Sequence, residues 1–432
     1  MASIDVSRRK VVVGFALLLM IAAGLVIAAG AAGGSASTLH IHNHGYLPPD
    51  LRGPFQHLDL TITDVEFVLL IGVLGIGYLV VLALASSVSA RVGIAAIVAL
   101  HLIFAMAPPL LSSDIFNYVG YARLWGVHDL NPYSHALAFA PTDASYPFVG
   151  LKLHNSPYGP LFTLISTPVG LLGLVPAVWT LKAMVASASL GCVALVAACA
   201  RHRGLDPLRA ALFVGLNPVL LVWAVGGGHN DLIVMLFALG GILFLLQDRI
   251  AGFAGLVAAT ATKLSAGLLL PFAVLGSRDR RRAALWVVAG GAAAGAIALL
   301  IFRTHLLTGL LDEFQTQSDL DSPNDLPGAI GDLLGLGLST RTLSRIGGVV
   351  FSVALVALLV RVYRGADWLE GAGWATFAAL ATTTWFLPWY FVWFLPLAAL
   401  APRRNLRIAA LAMTALVIGL QVPELLSPPG RD

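Results

Sequence analysis

VGIAAIVALHLIFAMAPPLLSSDIFNYVGYARLWGVHDLNPY, Val92 to Tyr133, holds in one stretch the two features that decide the fold. Its first half is an apolar run long enough to cross a hydrocarbon core of roughly 30 Å, for which about 20 residues suffice. Its second half turns abruptly polar, with an acid, three tyrosines, an arginine and a proline-linked turn. Runs like the first half recur throughout the chain, which is 432 residues long, 58% hydrophobic and only 11% charged. That balance, with a mean hydropathy of +0.87, lies outside the range of soluble domains and specifies an all-α polytopic membrane protein.

The clear runs are 11–33, 65–87, 92–111, 178–200, 210–226, 230–247, 283–302, 343–361, 371–388 and 408–422. Segments 157–176 and 249–276 are punctuated by proline and glycine and read as short hairpins or re-entrant pairs, giving about 10 to 13 spans in all. The first run follows Arg8, Arg9 and Lys10 and exceeds a signal-peptide core, so an uncleaved span is expected. Residues 1–90 read as an N-terminal pair of spans with an external loop, ahead of a module over 91–432.

The net charge of +4 comes from clusters at 8–10, Arg91, 201–209, 277–282, 361–364 and 402–407, which the positive-inside rule assigns to the cytoplasm. Such clusters orient a membrane protein and give no patch for nucleic acid. Alternation then puts 34–64, 112–157, 226–231, 303–342 and 388–390 on the external side, where most other polar residues fall. The two cysteines, Cys192 and Cys199, lie two turns apart on one helix and cannot bridge.

After Pro108 and Pro109, Ser112 or Ser113 can cap a new helix that ends before Pro132 and is expected to lie at the membrane surface. At about 100° per residue, Asp114, Tyr118, Tyr121 and Trp125 share a stripe and Arg123 points the other way. Asp114 reads either as an acid placed at the positive end of a helix dipole or as a general base beside a cleft walled by Tyr118 and Tyr121. The loop returns to the membrane through HNSPYGPLF, His154 to Phe162, whose Tyr158 reads as a headgroup anchor or a sugar contact.

GGGHND, Gly226 to Asp231, lies on the same side as Asp114. Its Asn230 or Asp231 can cap the next helix, or His229, Asn230 and Asp231 can hold substrate hydroxyls. Lys263, deep in an apolar segment, must snorkel, pair or face a wet cavity, with a lipid phosphate as a natural partner. Lys182, near the start of a span, reads as a snorkelling residue. WFLPWYFVWFLPL, Trp385 to Leu397, is either an aromatic belt or a groove for an isoprenoid chain or sugar. HIHNH, His40 to His44, reads as a metal loop or a solvated one, and the acids of the 312–325 stretch as a solvated face or catalytic groups.

In order, SSDIFNYVGYARLWGVHDLNPY, NSPYGPLF, GGHND, the embedded Lys263 and the late PWY resemble the polyprenyl-phosphate-mannose-dependent alpha-1,6-mannosyltransferases, which are related to glycosyltransferase family 87 and have the GT-C membrane fold. The resemblance covers roughly residues 90 to 400 in motif order. It implies a GT-C-like bundle in the cell membrane, a polyprenyl-phosphate sugar donor and a glycan or glycolipid acceptor on the external side. It also implies an essential acid in the first loop of the module, the place of Asp114. Transfer would be inverting and most simply of mannose.

Arg123, Lys263 and Lys152 then stand as contacts for the donor phosphate. Tyr118, Tyr121, Asn131, Tyr133, Tyr158, His229, Asn230, Asp231, Trp389 and Tyr390 stand as contacts for the sugars. No resident cofactor is implied, although a divalent cation could bridge Asp114 to the phosphate. Tyr121 and Ala122 stand where related enzymes often have a glycine before the arginine, which reshapes this part of the pocket. A GT-C transferase for another lipid-linked sugar, such as arabinofuranose or glucose, is the alternative enzyme. A lipid flippase is the alternative of another class, but its charges would line a path across the bilayer rather than gather at one surface.

Overall fold

The computed structural model describes residues 2–33, 47–309, 322 and 325–426, and every regular element among them is helical. The His40–His44 loop and most of the acidic stretch after residue 309 lie outside these residues.

Helices α1 (Ala2–Ala32), α2 (Asp64–Ala83) and α3 (Ala90–Met106) follow the first three apolar runs, and α1 packs against both of the others. Helix α4 (Asp114–Gly126) follows the Pro108–Pro109 break, and α5 (Pro160–Gly170) starts on a proline at its first turn, where a missing N–H costs nothing. Then come α6 (Leu174–His202), α7 (Pro207–Gly215), a π-helical segment (Leu220–Val225), α8 (Asp231–Leu246), α9 (Gly252–Thr262), α10 (Leu269–Gly276) and α11 (Arg280–Phe302). The remainder is α12 (Leu326–Leu333), α13 (Thr340–Tyr363), α14 (Trp368–Thr382), a 3₁₀ turn (Pro388–Trp393), α15 (Leu395–Leu400) and α16 (Arg404–Leu426).

Among the described residues, five helices are long and apolar enough to cross a membrane: Ser7–Ala32 within α1, then α2, α6, α11 and α13. Other apolar helices are shorter because irregular turns break them, as the π segment, the 3₁₀ turn Leu264–Leu268 and Pro388 do. The 249–276 segment is the broken pair expected of it, α9 and α10 joined by that 3₁₀ turn. In the apolar stretches of α11 and α13 only 11% and 6% of residues are buried. Their exposed faces carry Trp286, Val288, Leu300, Val349, Val353 and Val356, an apolar surface that water would not tolerate and lipid does. The protein is a polytopic membrane protein.

The basic clusters meet at one end of the bundle. Arg203 reaches Asp367, the cap of α14, at 2.8 Å, Arg280 donates to the Tyr363 carbonyl at 3.0 Å, and His202 touches Gln247 at 3.2 Å. From that end α3, α9 and α14 run toward the opposite one, where Asp114, Lys263 and Thr383 lie, and α10 runs back from it.

Helix α4 does not lie open at a surface. The loop after it, α5 and α6 fold over it, and Ile115 through Ala122 are all buried. Its apolar side chains, Ile115, Phe116 and Val119 among them, are what that covering encloses.

Candidate functional site

The site is built around the first turn of α4. The Asp114 amide donates to Ser112 Oγ at 3.1 Å, and the Asp114 carboxylate is 24% exposed into a cavity. Asn117, one turn on, approaches Asp114 Oδ1 through Nδ2 at 3.4 Å. The orientation of that amide is fixed because Asn117 Oδ1 accepts from Gly150 N at 2.9 Å and Leu151 N at 3.1 Å. One more turn on, the enclosed Tyr118 hydroxyl bonds Asn230 Oδ1 and accepts from Asn230 N, both at 3.3 Å. Its ring packs edge-on against Tyr158 at 4.8 Å and Phe162 at 5.0 Å. Tyr121 continues the stripe, but its hydroxyl donates to the His154 carbonyl at 2.8 Å and pins the returning turn.

The GGGHND loop leaves the π segment, a geometry that often marks functional positions. Lys182 holds the loop in place. This side chain does not snorkel: it is fully buried and donates to Gly226 O at 2.7 Å and to Pro108 O at 3.3 Å. Because Leu110 N also donates to Gly226 O, at 3.1 Å, the segment leading to Asp114 and the loop leading to His229 share one polar knot. Two carbonyls facing the interior explain why a lysine is retained there.

Neither capping reading of Asn230 and Asp231 holds: Asn230 takes the N-cap position of α8 without a side-chain cap bond. Its side chain goes to Tyr118. Asp231, with no exposed side-chain surface, accepts at Oδ1 from Lys263 Nζ at 2.7 Å and from Trp393 Nε1 at 2.7 Å. His229 is fully buried, stacked on Trp389 with centroids 3.7 Å apart and planes 15° apart. Its Nδ1 lies 3.3 Å from Asp114 Oδ2, in ion-pair range but off hydrogen-bond alignment. Within this triplet, both ring nitrogens of His229, Asn230 Nδ2 and Asp231 Oδ2 are enclosed without an aligned hydrogen bond. Such polar atoms gathered in one place are characteristic of a binding site.

Lys263 sits where α9 ends, and its ammonium pairs with Asp231 and lies over the rings of Tyr390 at 4.6 Å and Trp393 at 5.1 Å. Those two rings stack at 4.5 Å. The α9 terminus is held by Gly159 N, which donates to Thr262 O at 3.1 Å; a β-carbon on Gly159 would collide with the Ala261 carbonyl. The turn expected from Pro157, Gly159 and Pro160 is therefore also a docking point for the lysine.

Asp114, Tyr158, Lys263, Tyr390 and Trp393 line the polar part of a cavity of about 700 Å³. The cavity continues between α10, α13 and α14 along Leu264, Leu268, Leu269, Phe351, Ala379 and Leu380, side chains with nothing to offer a polar ligand. Charge at one end and hydrocarbon at the other suit an amphiphile.

Other expected contacts lie elsewhere. Arg123 points away from Asp114, as the helical spacing requires, and both Asp143 carboxylate oxygens accept from its Nε at 3.0 Å, while its Nη1 donates to Gly170 O at 3.1 Å. So engaged, it fastens the loop after α4 and does not line the cavity. His128 joins the same acid at 2.7 Å. Burial alone would raise the Asp143 carboxyl, but bonds from Arg123, Ser145 and His128 hold it well below the usual carboxylate range. The Lys152 ammonium lies over the Tyr146 ring at 5.2 Å, outside the cavity wall. Asn131 donates to the Phe302 carbonyl at 2.7 Å, and Tyr133 bonds Tyr158 O at 2.9 Å and Thr163 Oγ1 at 2.8 Å, so both brace the loop. Asp325 caps α12 through Gly328 N. The sequence does not single out Asn117, Lys182 or Asp143 as parts of the site or its frame, and it offers Trp393 only within the aromatic stretch Trp385 to Leu397. Among the described residues, no group of three or more His, Cys, Asp or Glu side chains is arranged to hold a metal ion.

The family model described as "Alpha-(1->6)-mannopyranosyltransferase, N-terminal domain" matches residues 11–278, and the one described as "MptB C-terminal domain" matches residues 324–426. Alpha-(1->6)-mannopyranosyltransferase A of Mycobacterium tuberculosis is 29% identical over 342 residues, 72% of this chain and 65% of that protein. Alpha-(1->6)-mannopyranosyltransferase A of Corynebacterium glutamicum is 31% identical over 182 residues, 39% of this chain and 35% of that protein. Alpha-(1->6)-mannopyranosyltransferase B of the same organism is 25% identical over 376 residues, 75% of this chain and 61% of that protein. The chain thus spans less than two thirds of the length of these relatives. No solved structure matches.

Proposed function

The chain belongs to the alpha-(1->6)-mannopyranosyltransferase family, and from that premise we propose that it transfers mannose from a polyprenyl-phosphate donor to a hydroxyl of a glycan or glycolipid acceptor. The observation that carries the reading is the cavity, which joins Asp114 and Lys263 to an apolar arm between α10, α13 and α14. A sugar phosphate on an isoprenoid chain has that same division of polarity. Transfer takes place at the external face, a placement supported by the site lying at the helix ends opposite the basic clusters.

Asp114 acts as general base. It takes the proton of the acceptor hydroxyl while that oxygen attacks the anomeric carbon from the side opposite the phosphate; the anomeric C–O bond breaks and its electrons leave on the phosphate. A β-linked donor thereby gives an α-1,6 product. Lys263 presents its cavity-facing N–H groups to the leaving phosphate and offsets charge that grows there. Tyr158, Tyr390 and Trp393 shape the sugar end of the cavity.

Asp114→Asn tests the assignment, in membranes supplied with a panel of radiolabelled polyprenyl-phosphate sugars. Mannose incorporation by the native chain and its loss in the variant are expected. Incorporation of arabinofuranose or glucose alone would reassign the sugar, lipid movement without incorporation would indicate a flippase, and full activity of the variant would remove Asp114 from the base role.

A further inference from the structure

We propose that His229 is the positioning residue of the Asp114 base, donating Nδ1–H to Asp114 Oδ2 so that Oδ1 is the oxygen that receives the acceptor proton. The inference rests on the reading of Asp114 as base.

Three observations carry it. First, His229 Nδ1 lies 3.3 Å from Oδ2, a separation that a small tightening on substrate binding converts into a hydrogen bond. Second, the cavity wall includes Asp114 but not His229, whose side chain is completely enclosed. His229 therefore reaches a substrate only through the carboxylate, in contrast to the sugar contact its sequence position suggested. Third, the ring has little freedom. It stacks on Trp389 at 3.7 Å, its backbone N–H donates to Ala224 O at 3.0 Å, and its far edge lies so near Gly227 that a β-carbon there would come 2.7 Å from Nε2.

The other oxygen meets an amide. Asn117 Nδ2 stands 3.4 Å from Oδ1, a long contact that an incoming hydroxyl can share or displace. The two neighbours thus fix the carboxylate plane and leave Oδ1 as the accessible base. During transfer the acceptor proton passes to Oδ1 as the acceptor oxygen bonds to the anomeric carbon and the anomeric C–O bond to the phosphate breaks, while the imidazole keeps its proton on Nδ1.

The test compares His229→Asn, His229→Gln and His229→Leu in the full chain, with polyprenyl-phosphate mannose and a mannoside acceptor, measuring kcat, both KM values and thermal melting in detergent. The Asn amide nitrogen can occupy the Nδ1 position, whereas Gln carries its amide one carbon farther out and Leu has no donor. His229→Gln and His229→Leu should lose about 100-fold in kcat with both KM values within about two-fold of native, and His229→Asn should stay within about five-fold. Native kcat in His229→Leu, an equal loss in His229→Asn and His229→Leu, or a loss confined to KM would each overturn the proposal. So would melting of all three variants well below the native chain, which would make the role purely structural. Asp114→Asn is run alongside: a dead Asp114→Asn with an active His229→Leu removes only the role of His229, whereas an active Asp114→Asn removes the base reading itself.

Discussion

Lys263 Nζ lies 2.7 Å from Asp231 Oδ1, with the carboxylate fully enclosed and the lysine 17% exposed toward the cavity. The pair is thus asymmetric: one partner is locked away from water while the other keeps a free face for a ligand. Removing the lysine alone strands a buried negative charge, which typically costs about 3–5 kcal/mol. Lys263→Met should therefore lower the melting temperature markedly, and Lys263→Met combined with Asp231→Asn should recover most of that loss. Donor KM separates the two functions of the lysine, because it should stay raised in the double variant even where stability returns. A double variant with native donor KM would show that Lys263 serves the fold alone.

Lys182 gives a second prediction. Its ammonium meets the Gly226 and Pro108 carbonyls in an enclosed setting, and Lys182→Met fills similar space while removing the donor to Pro108 O and leaving Gly226 O with the Leu110 N–H alone. An unmet buried group costs about 1–3 kcal/mol, so a clear drop in melting temperature is expected. Since those carbonyls precede Asp114 and His229, kcat should also fall at temperatures where the variant is still folded. Unchanged stability would show that other donors can take the place of the lysine.

The loop after α4 should show a pH signature. Asp143 has its folded carboxyl depressed below the unfolded value, so its contribution is complete above the unfolded carboxylate range of about 4 and is lost as pH falls through the lower folded value. The melting difference between the native chain and Asp143→Asn should be present at about pH 5 and shrink as the solution is made more acid than the unfolded carboxylate range. A difference that grows on acidification below about pH 5 would contradict the Arg123–Asp143 clamp as its source.

Much of this architecture is legible in the chain itself, because a long apolar run has few ways to satisfy its backbone and helical spacing fixes which side chains share a face. The runs at 65–87, 178–200, 283–302 and 343–361 correspond to α2, α6, α11 and α13, and Asp114 and Arg123 do part to opposite sides of α4. What spacing does not encode is which distant residue waits on each side. Arg123 suits a phosphate equally well until Asp143, 20 residues on, is seen to claim it. Asp231 suits a helix cap until Lys263 and Trp393 arrive from 32 and 162 residues away. Lys182 follows the same logic, since an enclosed lysine and a snorkelling one have the same sequence and differ only in what folds over them. Residue chemistry thus names the candidates, and tertiary packing divides ligand contacts from struts.

The π-helical turn Leu220–Val225 sets the angle at which the following loop emerges. Such a turn accommodates one more residue than an α-helix would, and one residue corresponds to about 100° of rotation. A single-codon deletion within it would regularise the helix, keep its hydrophobicity and still carry His229 away from Asp114. The meeting of His229 and Asp114 is in this sense counted in residues: a change invisible to composition, and hardly visible to hydropathy, would undo it.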